Sequence, residues 1–585
     1  MALISLGHTR PHLQFRKYIM NTMNVSNTQE NSEQALMQSI FTFSDAGGSV
    51  IQIKTREQLR AAMVLRKSLI LPPKQGGAVE STYKEWDITN GWREFTGENY
   101  TDNTLTGDSM DFGMAIQRPI TDWRNTSSDV RTKPQTVHYY AFMNPHSHVA
   151  DNAFVVEFLM QYATILPQTN ICILLITPEV AIDSLPVGTV LVAEMKTPNV
   201  VELSQVLRNM LKGAAADYDA VEIDDTDIQA IARIGLGLTL HEFETHCAIA
   251  QIEASLNKVG TLTAAHMIAG VSKGKTEVVN QSEILELYPS DSMENVGGME
   301  RLKDWINSRA NCYSDEAREF GVQPPSGMGL VGVPGSGKSL IAKAVASSLN
   351  VPLVRMDFAR VFSKFIGDSE SRVRQALSMV EEMAPCVLFV DEIDKGLGGI
   401  GGGGGDSGTS SRVLGSFLTW LQDHVAPVFV MVTANDITNL PPELLRKGRL
   451  DAIFSVGLPT PAERREVLAI HLRKRERNID DFPAEEVEEV VTTSDRYVPA
   501  EIESAVKDGL ISAFNEGVPL EMRHVTHALR EMVPLSTSSA AKINAMIEWA
   551  LHNATPVNYT AAHNAKVETQ ATVTRMRRAS PRSAK

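Results

Sequence analysis

The stretch that decides the fold is GLVGVPGSGKSLIAKAVASSL, Gly329 to Leu349, because it joins a strand, a glycine-rich loop and a helix. Its first residues are typical of a buried strand, and Gly332 to Ser339 fit the pattern G-x-x-x-x-G-K-[ST]. A helix with apolar residues at helical spacing follows. In this context the loop is a phosphate-binding P-loop, so we predict one at the end of a parallel strand.

The loop residues have separate predicted roles. Gly335 and Gly337 let backbone N–H groups close around phosphates at the positive end of the helix dipole. Lys338 is predicted to reach the β and γ phosphates, and the Ser339 hydroxyl to bind Mg²⁺. The predicted ligands are therefore ATP and Mg²⁺. The predicted nucleotide-binding residues of the loop are Pro334, Gly335, Ser336, Gly337, Lys338, Ser339 and Leu340.

Two further strands end in polar residues that complete the predicted site. The apolar run Cys386 to Val390 is typical of a buried parallel strand, and Asp391 and Glu392 follow it. Asp391 is predicted to join the Mg²⁺ shell, and Glu392 to orient and deprotonate the attacking water. Asn435, after PVFVMVT, is predicted to hydrogen-bond that water or the γ-phosphate. Taken alone, these residues could be an acidic turn and a capping asparagine.

Length, charge and cysteine content limit the functional classes. A chain of 585 residues is expected to form two or more domains, and its net charge of -15 disfavours general nucleic-acid binding. The basic C-terminal stretch, 575–585, is expected to be a solvated tail, with a nucleic-acid or membrane-surface role as the alternative. Four scattered cysteines and the lack of a signal or a long apolar run favour an intracellular protein without a membrane segment.

Two histidine-containing stretches are not predicted to bind a metal. HEFETH, His241 to His246, resembles a zinc-protease helix, but such a helix needs histidines at positions i and i+4. Here Thr245 takes the second position and the second histidine falls at i+5. The HSH stretch, His146 to His148, has no convincing third ligand nearby and is predicted to be structural.

The motifs GVPGSGKS, FVDEID, TAND and LLRKGRLD resemble, in order and approximate spacing, those of the AAA ATPases. The stretches EILELYPSDSMENVGGMERLKDWI, MAPCVLFVDEIDKGLGG and LPPELLRKGRLDAIFSVGLP are similar to the plastid-encoded and cyanobacterial hypothetical-reading-frame members. This resemblance covers roughly residues 40 to 550. It implies an α/β P-loop NTPase with a parallel central sheet and a helical lid, preceded by a degenerate AAA-like α/β domain.

The resemblance gives a role to two arginines, Arg446 and Arg449, that would otherwise be assigned to a solvated basic turn. In AAA proteins the arginines of this segment point into the ATP site of a neighbouring subunit. They stabilise charge on the transferred phosphoryl group. The two arginines therefore imply a homo-oligomeric ring, most simply a hexamer, that hydrolyses ATP when assembled.

The resemblance also implies contacts with the nucleotide outside the P-loop. The backbone near Val296 and Gly297 would border the adenine. His471 matches a position that commonly contacts the nucleotide, and Ala500 lies in a segment similar to the lid motif G-A-E-I-E. Pro499 replaces the usual glycine of that motif.

Two loops are connected with a partner by the same resemblance. The stretch SKFIG places Phe365 where AAA remodelling proteins carry an aromatic residue into the central pore, so Phe365 is predicted to contact a protein client. Without the family, a core position for this phenylalanine is equally plausible. The glycine-rich run from Gly396 to Ser411 is either a second pore loop or a flexible connector.

The N-terminal half echoes the pattern of the ATPase half without its chemistry. VVEFLMQYATILPQTNICILLITPEV parallels VLGSFLTWLQDHVAPVFVMVTANDI, and GLTLHEFETHCAIA occupies the place of RYVPAEIESAVKDG. Such self-similarity predicts a tandem repeat. The first copy has no Gly-Lys-Ser loop, Asp-Glu pair or arginine pair, so we predict a degenerate domain that serves as a scaffold or recruits a client. An unrelated α/β domain is the alternative.

These predictions give a domain plan and a function. The expected segments are a flexible extension (1–39), a degenerate AAA-like domain (40–275), an AAA α/β core (276–460), a helical lid (461–553) and a disordered basic tail (554–585). The leading hypothesis is a ring ATPase that remodels a protein partner. The alternatives are an ATP-dependent assembly switch and a nucleic-acid motor. The expected compartment is the cytoplasm, or the plastid stroma if the protein is organellar.

Overall fold

The structure is a computed structural model that divides into two compact units, Met1–Gly274 and Lys275–Lys585. In the part of the chain that it describes, no helix is long and apolar enough to cross a membrane. The described residues are 32–45, 48–69, 80–95, 111–125, 136–149, 152–166, 169, 171–178, 190–214, 218–257, 260–282, 284–313, 315–358, 360, 369–394, 407–436, 443–444 and 449–558.

The first unit contains a six-stranded sheet of order β3-β2-β4-β5-β1-β6, in which only the β2–β3 pair is antiparallel. All seven residues of β5 are buried, as expected for a central parallel strand covered on both faces. The strands of this unit are β1 (Val50–Lys54), β2 (Glu80–Asp87), β3 (Gly91–Phe95), β4 (Thr136–Met143), β5 (Ile171–Thr177) and β6 (Leu191–Glu194), with a separate parallel pair, β7 (Ala220–Glu222) and β8 (Thr261–Thr263).

Helices cover this sheet and follow its last strand. They are α1 (Ser32–Asp45), α2 (Gln58–Leu69), α3 (Phe112–Ala115), α4 (Arg118–Asn125), α5 (His146–Val149), α6 (Ala153–Ile165), α7 (Val200–Ala214), α8 (Asp225–Ile234), α9 (Leu240–Leu256) and α10 (Ala264–Asn280). The prediction of a flexible segment up to residue 39 was wrong for its last part. Leu36 and Met37 of α1 are buried in one core of the unit, because they share an apolar helix face with Ile40.

The second unit contains a seven-stranded sheet of order β15-β14-β10-β13-β12-β11-β9, in which only the β9–β11 pair is antiparallel. Adjacent strand residues face opposite sides: Leu330, Phe389 and Met431 belong to one core, and Val331, Val390 and Val432 to the other. The strands are β9 (Leu285–Tyr288), β10 (Gly327–Gly332), β11 (Leu353–Met356), β12 (Cys386–Val390), β13 (Val428–Ala434), β14 (Ala452–Val456) and β15 (Thr555–Pro556).

The helices of the second unit form two groups. Those around the sheet are α11 (Glu300–Asn307), α12 (Asp315–Glu319), α13 (Lys338–Ser348), α14 (Ser369–Glu382) and α15 (Ser407–Asp423). Those after β14 are α16 (Pro461–Arg473), α17 (Ala484–Thr493), α18 (Pro499–Glu516), α19 (Met522–Glu531), α20 (Leu535–Ser538) and α21 (Ala540–Asn553). A cluster with members from Val467 to Leu529 forms a separate core for α16 to α19, the lid helices.

The end of the predicted lid and the start of the predicted tail were wrong. Ile543 and Met546 of α21 are buried in the core of the α/β sheet and not in the lid cluster. Thr555 pairs with Phe454 of β14, and Val557 is buried beside the sheet. The chain therefore returns to the sheet edge after the lid, because Val557 can bury its side chain there.

Both large sheets have the same strand order. If the first five mutually parallel strands of each sheet are numbered along the chain, their order is 5-1-4-3-2 in both sheets. In the first unit these strands are β6, β1, β5, β4 and β2, and in the second they are β14, β10, β13, β12 and β11. The second sheet has a sixth parallel strand, β15, outside β14. In open sheets of this kind, ligands bind at the carboxyl ends of the strands where the order changes direction. That place lies beside the first strand, β1 or β10.

Candidate functional site

The loop between β10 and α13 has a backbone that requires glycine at two positions. Gly335 and Gly337 have φ values of 77° and 91°, in the left-handed region that other residues rarely adopt. A Cβ atom on Gly335 would also lie only 3.1 Å from Val498 Cγ2 and 3.2 Å from Ala500 Cβ. The loop thereby packs closely against the start of α18 and leaves the N-terminus of α13 facing the site.

Lys338 begins α13 and lies under the loop. Its Nζ donates hydrogen bonds to the carbonyl oxygens of Gly332, at 2.8 Å, and Val333, at 2.9 Å. Burial lowers the pKa of Lys338 to about 8, against the opposing attraction of nearby carboxylates. A phosphate group would supply the negative charge that favours the ammonium form. The side chain is therefore suited to binding an anion.

The acidic pair lies at the carboxyl end of β12, opposite the loop. Ser339 Oγ donates to Asp391 Oδ2 at 3.4 Å, so the hydroxyl and the carboxylate adjoin each other. Thr433 Oγ1 donates to Asp391 Oδ1 at 2.7 Å. Glu392 has a φ of 47°, an uncommon conformation for a residue with a side chain. The hydrogen bond from Thr433, on the neighbouring strand β13, therefore helps to position the carboxylate of Asp391.

Asn435 connects β13 to the acidic pair. Its Nδ2 donates to Glu392 Oε1 at 2.8 Å. Asp394 accepts hydrogen bonds from the backbone N–H groups of Asn435, at 3.2 Å, and Asp436, at 3.0 Å. Burial raises the pKa of Asp394. Asp394 thus fixes the chain after β13, and Asn435 holds the carboxylate that we predict to act on water.

These groups surround a cavity of about 380 Å³ between the α/β core and the lid helices. The backbone N–H of Ala500 donates to the carbonyl oxygen of Gly335 at 3.1 Å, which joins the two walls. The cavity is lined by Pro334, Gly335, Gly337, Lys338, Ser339, Leu340, Asp391, Glu392, Asn435, His471, Lys474, Pro499, Ala500 and Glu503.

His471 faces this cavity from α16. Burial lowers the pKa of its imidazole to about 4, so the ring is neutral at neutral pH, although Glu503 favours the charged form. Its Nδ1 has no hydrogen-bond partner among the residues that the structure describes. A neutral ring in this place can exchange a hydrogen bond with a polar ligand.

The donor set fits a nucleotide with Mg²⁺. In the described part of the chain, no group of three or more His, Cys, Asp and Glu side chains could hold a metal by itself. Mg²⁺ is usually bound by one or two carboxylates together with substrate phosphates, and Ser339 and Asp391 supply oxygen ligands of that kind. Within the same described residues, Asn435 lines the cavity and its Oδ1 is buried without a hydrogen-bond partner. A polar ligand could satisfy this atom.

Comparison with known proteins supports the same assignment. The family model "ATPase family associated with various cellular activities (AAA)" matches residues 328–458. The AAA domain-containing protein ycf46 of Guillardia theta is 31% identical over 506 residues, 86% of this chain and 92% of the relative. The ycf46 protein of Gracilaria tenuistipitata is 34% identical over 401 residues, 68% of this chain and 78% of the relative. The chain belongs to the AAA family.

A relative with a different protein name matches a smaller part of the chain. The cell division cycle protein 48 homologue of Archaeoglobus fulgidus is 34% identical over 239 residues, 40% of this chain and 32% of the relative. The resemblance to AAA ATPases and the α/β P-loop fold with a mostly parallel sheet are thereby confirmed. The AAA family assignment supports ATPase activity and nucleotide binding, usually with Mg²⁺.

Most of the residues that the sequence analysis selected line the cavity. Ser336 lies within the loop and is almost completely buried, so it does not line the cavity. Val296 and Gly297 are also absent from the lining: Val296 is buried in a core, and Gly297 lies against Val467 and Ile470 of α16. Their contact with adenine stays a prediction.

Of three further predicted residues, the structure describes Arg449 alone. Arg449 does not line the cavity, and its Nη1 donates to the carbonyl oxygen of Glu443 at 2.8 Å. Arg446 and Phe365 lie outside the described residues, as does most of the glycine-rich run from Gly396 to Ser411. A role that depends on a neighbouring subunit or on a client stays a prediction for each of them.

The sequence analysis missed four residues at the site. Lys474 lines the cavity just after the end of α16, Pro499 and Glu503 line it from α18, and Thr433 contacts the acidic pair. Lys474 follows His471 by three positions and Glu503 follows Ala500 by three, so helical spacing could have identified both. Thr433 could have been noticed as the polar residue of the otherwise apolar strand VFVMVTA.

Proposed function

We propose that this AAA protein is a Mg²⁺-dependent ATPase that works as a ring of identical subunits and remodels a protein partner. The observation that carries the hydrolytic part is the position of Glu392. Its carboxylate accepts a hydrogen bond from Asn435 and lines the same cavity as Lys338 and Ser339. A carboxylate in that position is suited to accept a proton from a water that attacks the γ-phosphate.

Each side chain of the site has a role in this reaction. Lys338 and the N–H groups of the loop bind the phosphates, while Ser339 and Asp391 hold the metal position. Bound Mg²⁺ would neutralise charge on the β- and γ-phosphates. Glu392 orients and deprotonates water, and Asn435 keeps the Glu392 carboxylate in place before the nucleotide is bound.

A ring would complete the site with groups from a neighbouring copy. AAA proteins typically form hexameric rings, and the resemblance assigns Arg446 and Arg449 to contacts across the subunit boundary. The hydrogen bond from Arg449 to Glu443 engages only a backbone carbonyl, and a phosphate could replace that partner. We propose that the two arginines stabilise charge on the transferred phosphoryl group of the adjacent subunit.

The test is steady-state ATP turnover per subunit over a wide range of protein concentration. We expect the specific activity to rise steeply and then saturate, because neighbours complete the sites. A flat activity would show that each site is self-sufficient and that the arginines are structural. Glu392→Gln serves as the matched control, since it keeps the size of the side chain and should bind ATP without turning it over.

The proposed remodelling of a protein partner depends on Phe365. Its support is the resemblance of SKFIG to an AAA pore loop. Phe365→Ala should keep its ATPase activity and lose any remodelling of a protein client. An ATP-dependent assembly switch would tolerate that substitution. Stimulation of turnover by DNA or RNA would favour a nucleic-acid motor instead. The proposed compartment is the plastid stroma for an organellar protein, or the cytoplasm.

We also propose that the first unit is a degenerate AAA-like domain that no longer binds nucleotide. The shared strand order supports this. Only three residues, Thr55 to Glu57, separate β1 from α2, which is too short for a P-loop. Arg60 of α2 is buried and pairs with Glu57 at 2.7 Å, Glu202 at 2.8 Å and Glu33 at 3.1 Å.

The first unit has a further contact that matches the second. In the second unit the N–H of Ala500 on α18 donates to the P-loop, and in the first the N–H of Leu240 on α9 donates to Glu57 Oε1. An ionic cluster thus occupies the place that corresponds to the nucleotide site. Calorimetric titration of the full chain with a nucleotide should give one site per chain, and none with Lys338→Ala. Two sites per chain would contradict the proposal.

A further inference from the structure

Thr433 lies near the end of β13 and touches both acidic residues of the proposed ATPase site. Its side chain is completely buried. The hydroxyl donates to Asp391 Oδ1 at 2.7 Å and accepts the backbone N–H of Glu392 at 2.9 Å. A hydroxyl has one proton and two lone pairs, so both hydrogen bonds can form at the same time. One oxygen atom is therefore shared by the two residues.

The bond to Asp391 determines which carboxylate oxygen faces the metal position. Oδ1 is occupied by Thr433, while Oδ2 faces Ser339 Oγ at 3.4 Å and an Arg355 guanidinium nitrogen at 3.7 Å. Ser339 and Asp391 are the two oxygen ligands proposed for Mg²⁺. Rotation of the carboxylate would break its hydrogen bond to Thr433. The hydroxyl thus holds the plane of the Asp391 carboxylate.

The bond to Glu392 supports an uncommon backbone conformation. Glu392 has a φ of 47°, which costs free energy for a residue with a Cβ atom and persists where its surroundings favour it. Thr433 accepts the N–H of this residue, and Asn435 donates to its carboxylate at 2.8 Å. The backbone and the carboxylate of Glu392 are therefore held from two positions on β13 and the segment after it.

Packing alone does not explain a threonine at this place. The other residues of VFVMVTA are apolar, and valine has nearly the same shape as threonine without the hydroxyl. We propose that Thr433 is a positioning residue that orients Asp391 toward the metal and fixes the backbone that presents Glu392 to water. The proposal rests on the proposed ATPase function.

The experiment compares Thr433→Val and Thr433→Ser in the full chain. The affinity for a fluorescent ATP analogue that resists hydrolysis is measured with Mg²⁺ and with EDTA, and turnover is measured against Mg²⁺ concentration. Thr433→Val should weaken the Mg²⁺-dependent affinity and raise the Mg²⁺ requirement by about 10- to 100-fold, while affinity in EDTA is unchanged. Thr433→Ser keeps the hydroxyl and should retain the wild-type Mg²⁺ dependence.

Thr177→Val is the matched control. Thr177 ends β5, the corresponding strand of the first unit, where its buried Oγ1 accepts a hydrogen bond from Gln52 Nε2 at 3.1 Å. The same substitution there should leave both nucleotide affinities unchanged. If Thr433→Val does not fold, as judged by its thermal transition, Thr433→Ala replaces it in the same measurements.

Two results would overturn the proposal. One is a Mg²⁺ dependence of Thr433→Val equal to that of the wild type. The other is an equal loss of affinity with Mg²⁺ and with EDTA, which would mean general damage to the cavity. If the wild-type protein binds the analogue but does not hydrolyse ATP, the proposed function fails. The binding measurements would still decide the effect of Thr433 on the metal.

Discussion

Replacing Arg60 by methionine tests the ionic cluster of the first unit. The substitution keeps an unbranched apolar side chain and removes the guanidinium that joins Glu57, Glu202 and Glu33. The side chain of Glu57 is only 2% exposed, and its remaining hydrogen bond comes from the N–H of Leu240. Arg60→Met therefore leaves a buried carboxylate without its cation.

The expected loss of stability follows from that burial. Removing one partner of a buried ion pair costs about 3–5 kcal/mol, because the other charge stays uncompensated. The Glu33 side chain is 34% exposed, so its pair with Arg60 adds little. Each kcal/mol changes the melting temperature of a unit of this size by about 2–4 °C, so we expect the transition of the first unit to fall by about 6–20 °C.

The assay is differential scanning calorimetry of the full chain, with Arg208→Met as the matched control. Arg208 pairs with Asp225 at the surface of the same unit, and its loss should cost at most about 1 kcal/mol. A deficit for Arg60→Met no larger than that of Arg208→Met at neutral pH would refute the reasoning.

The same variant should show a specific pH dependence. Burial raises the pKa of Glu57 in the wild type, although Leu240 and Arg60 oppose this, and loss of Arg60 should raise it further. A carboxyl with a raised pKa in the folded state favours folding below its unfolded pKa, and that contribution is lost as the pH rises through the folded pKa. The deficit of Arg60→Met should therefore grow from pH 5 to pH 7.5; a constant deficit would contradict a role for Glu57.

Three further predictions concern the second unit. Arg449→Ala should bind ATP with wild-type affinity in a titration yet lose turnover by about 10³- to 10⁵-fold, and normal turnover would show that Arg449 does not act on the transferred phosphoryl group. ATP affinity should fall by up to about tenfold per pH unit above pH 8, because free Lys338 loses its proton there while Lys338 bound to ATP keeps it. Lys338→Arg should abolish this pH dependence. If the pH dependence remains in Lys338→Arg, another group is responsible for it. Val557→Ala should lower the unfolding free energy by about 2 kcal/mol in denaturant titrations, because it removes two buried methyl groups, and no change would mean that β15 contributes little.

The parts of the site that could be predicted from the sequence share one property. Asp391 and Asn435 directly follow strands that are recognisable by their apolar runs, and Lys338 follows the loop at the carboxyl end of such a strand. Parallel strands bring such ends to one edge of the sheet, so local patterns were sufficient to predict that these side chains meet. The P-loop pattern added the chemistry, because its spacing is specific to phosphate binding.

Other features could not be predicted, because distant segments determine them. The role of Thr433 depends on a register that places β13 beside β12. The burial of Leu36 and the pairing of Thr555 with Phe454 depend on which surfaces of the sheet stay uncovered by the rest of the chain. Short segments such as these have weak intrinsic preferences, so tertiary contacts decide their structure.

The sequence by itself determined the P-loop, the acidic pair and membership of the AAA family, since each depends on residues close together in the chain. Only the tertiary structure decided that five parallel strands have the order 5-1-4-3-2 in both sheets and that Arg60 lies among three carboxylates. The buried ion pair between Arg60 and Glu202 joins residues 142 positions apart, and strand order likewise depends on distant segments. Such contacts form when packing makes up for the lost chain entropy and desolvation, which no local pattern records.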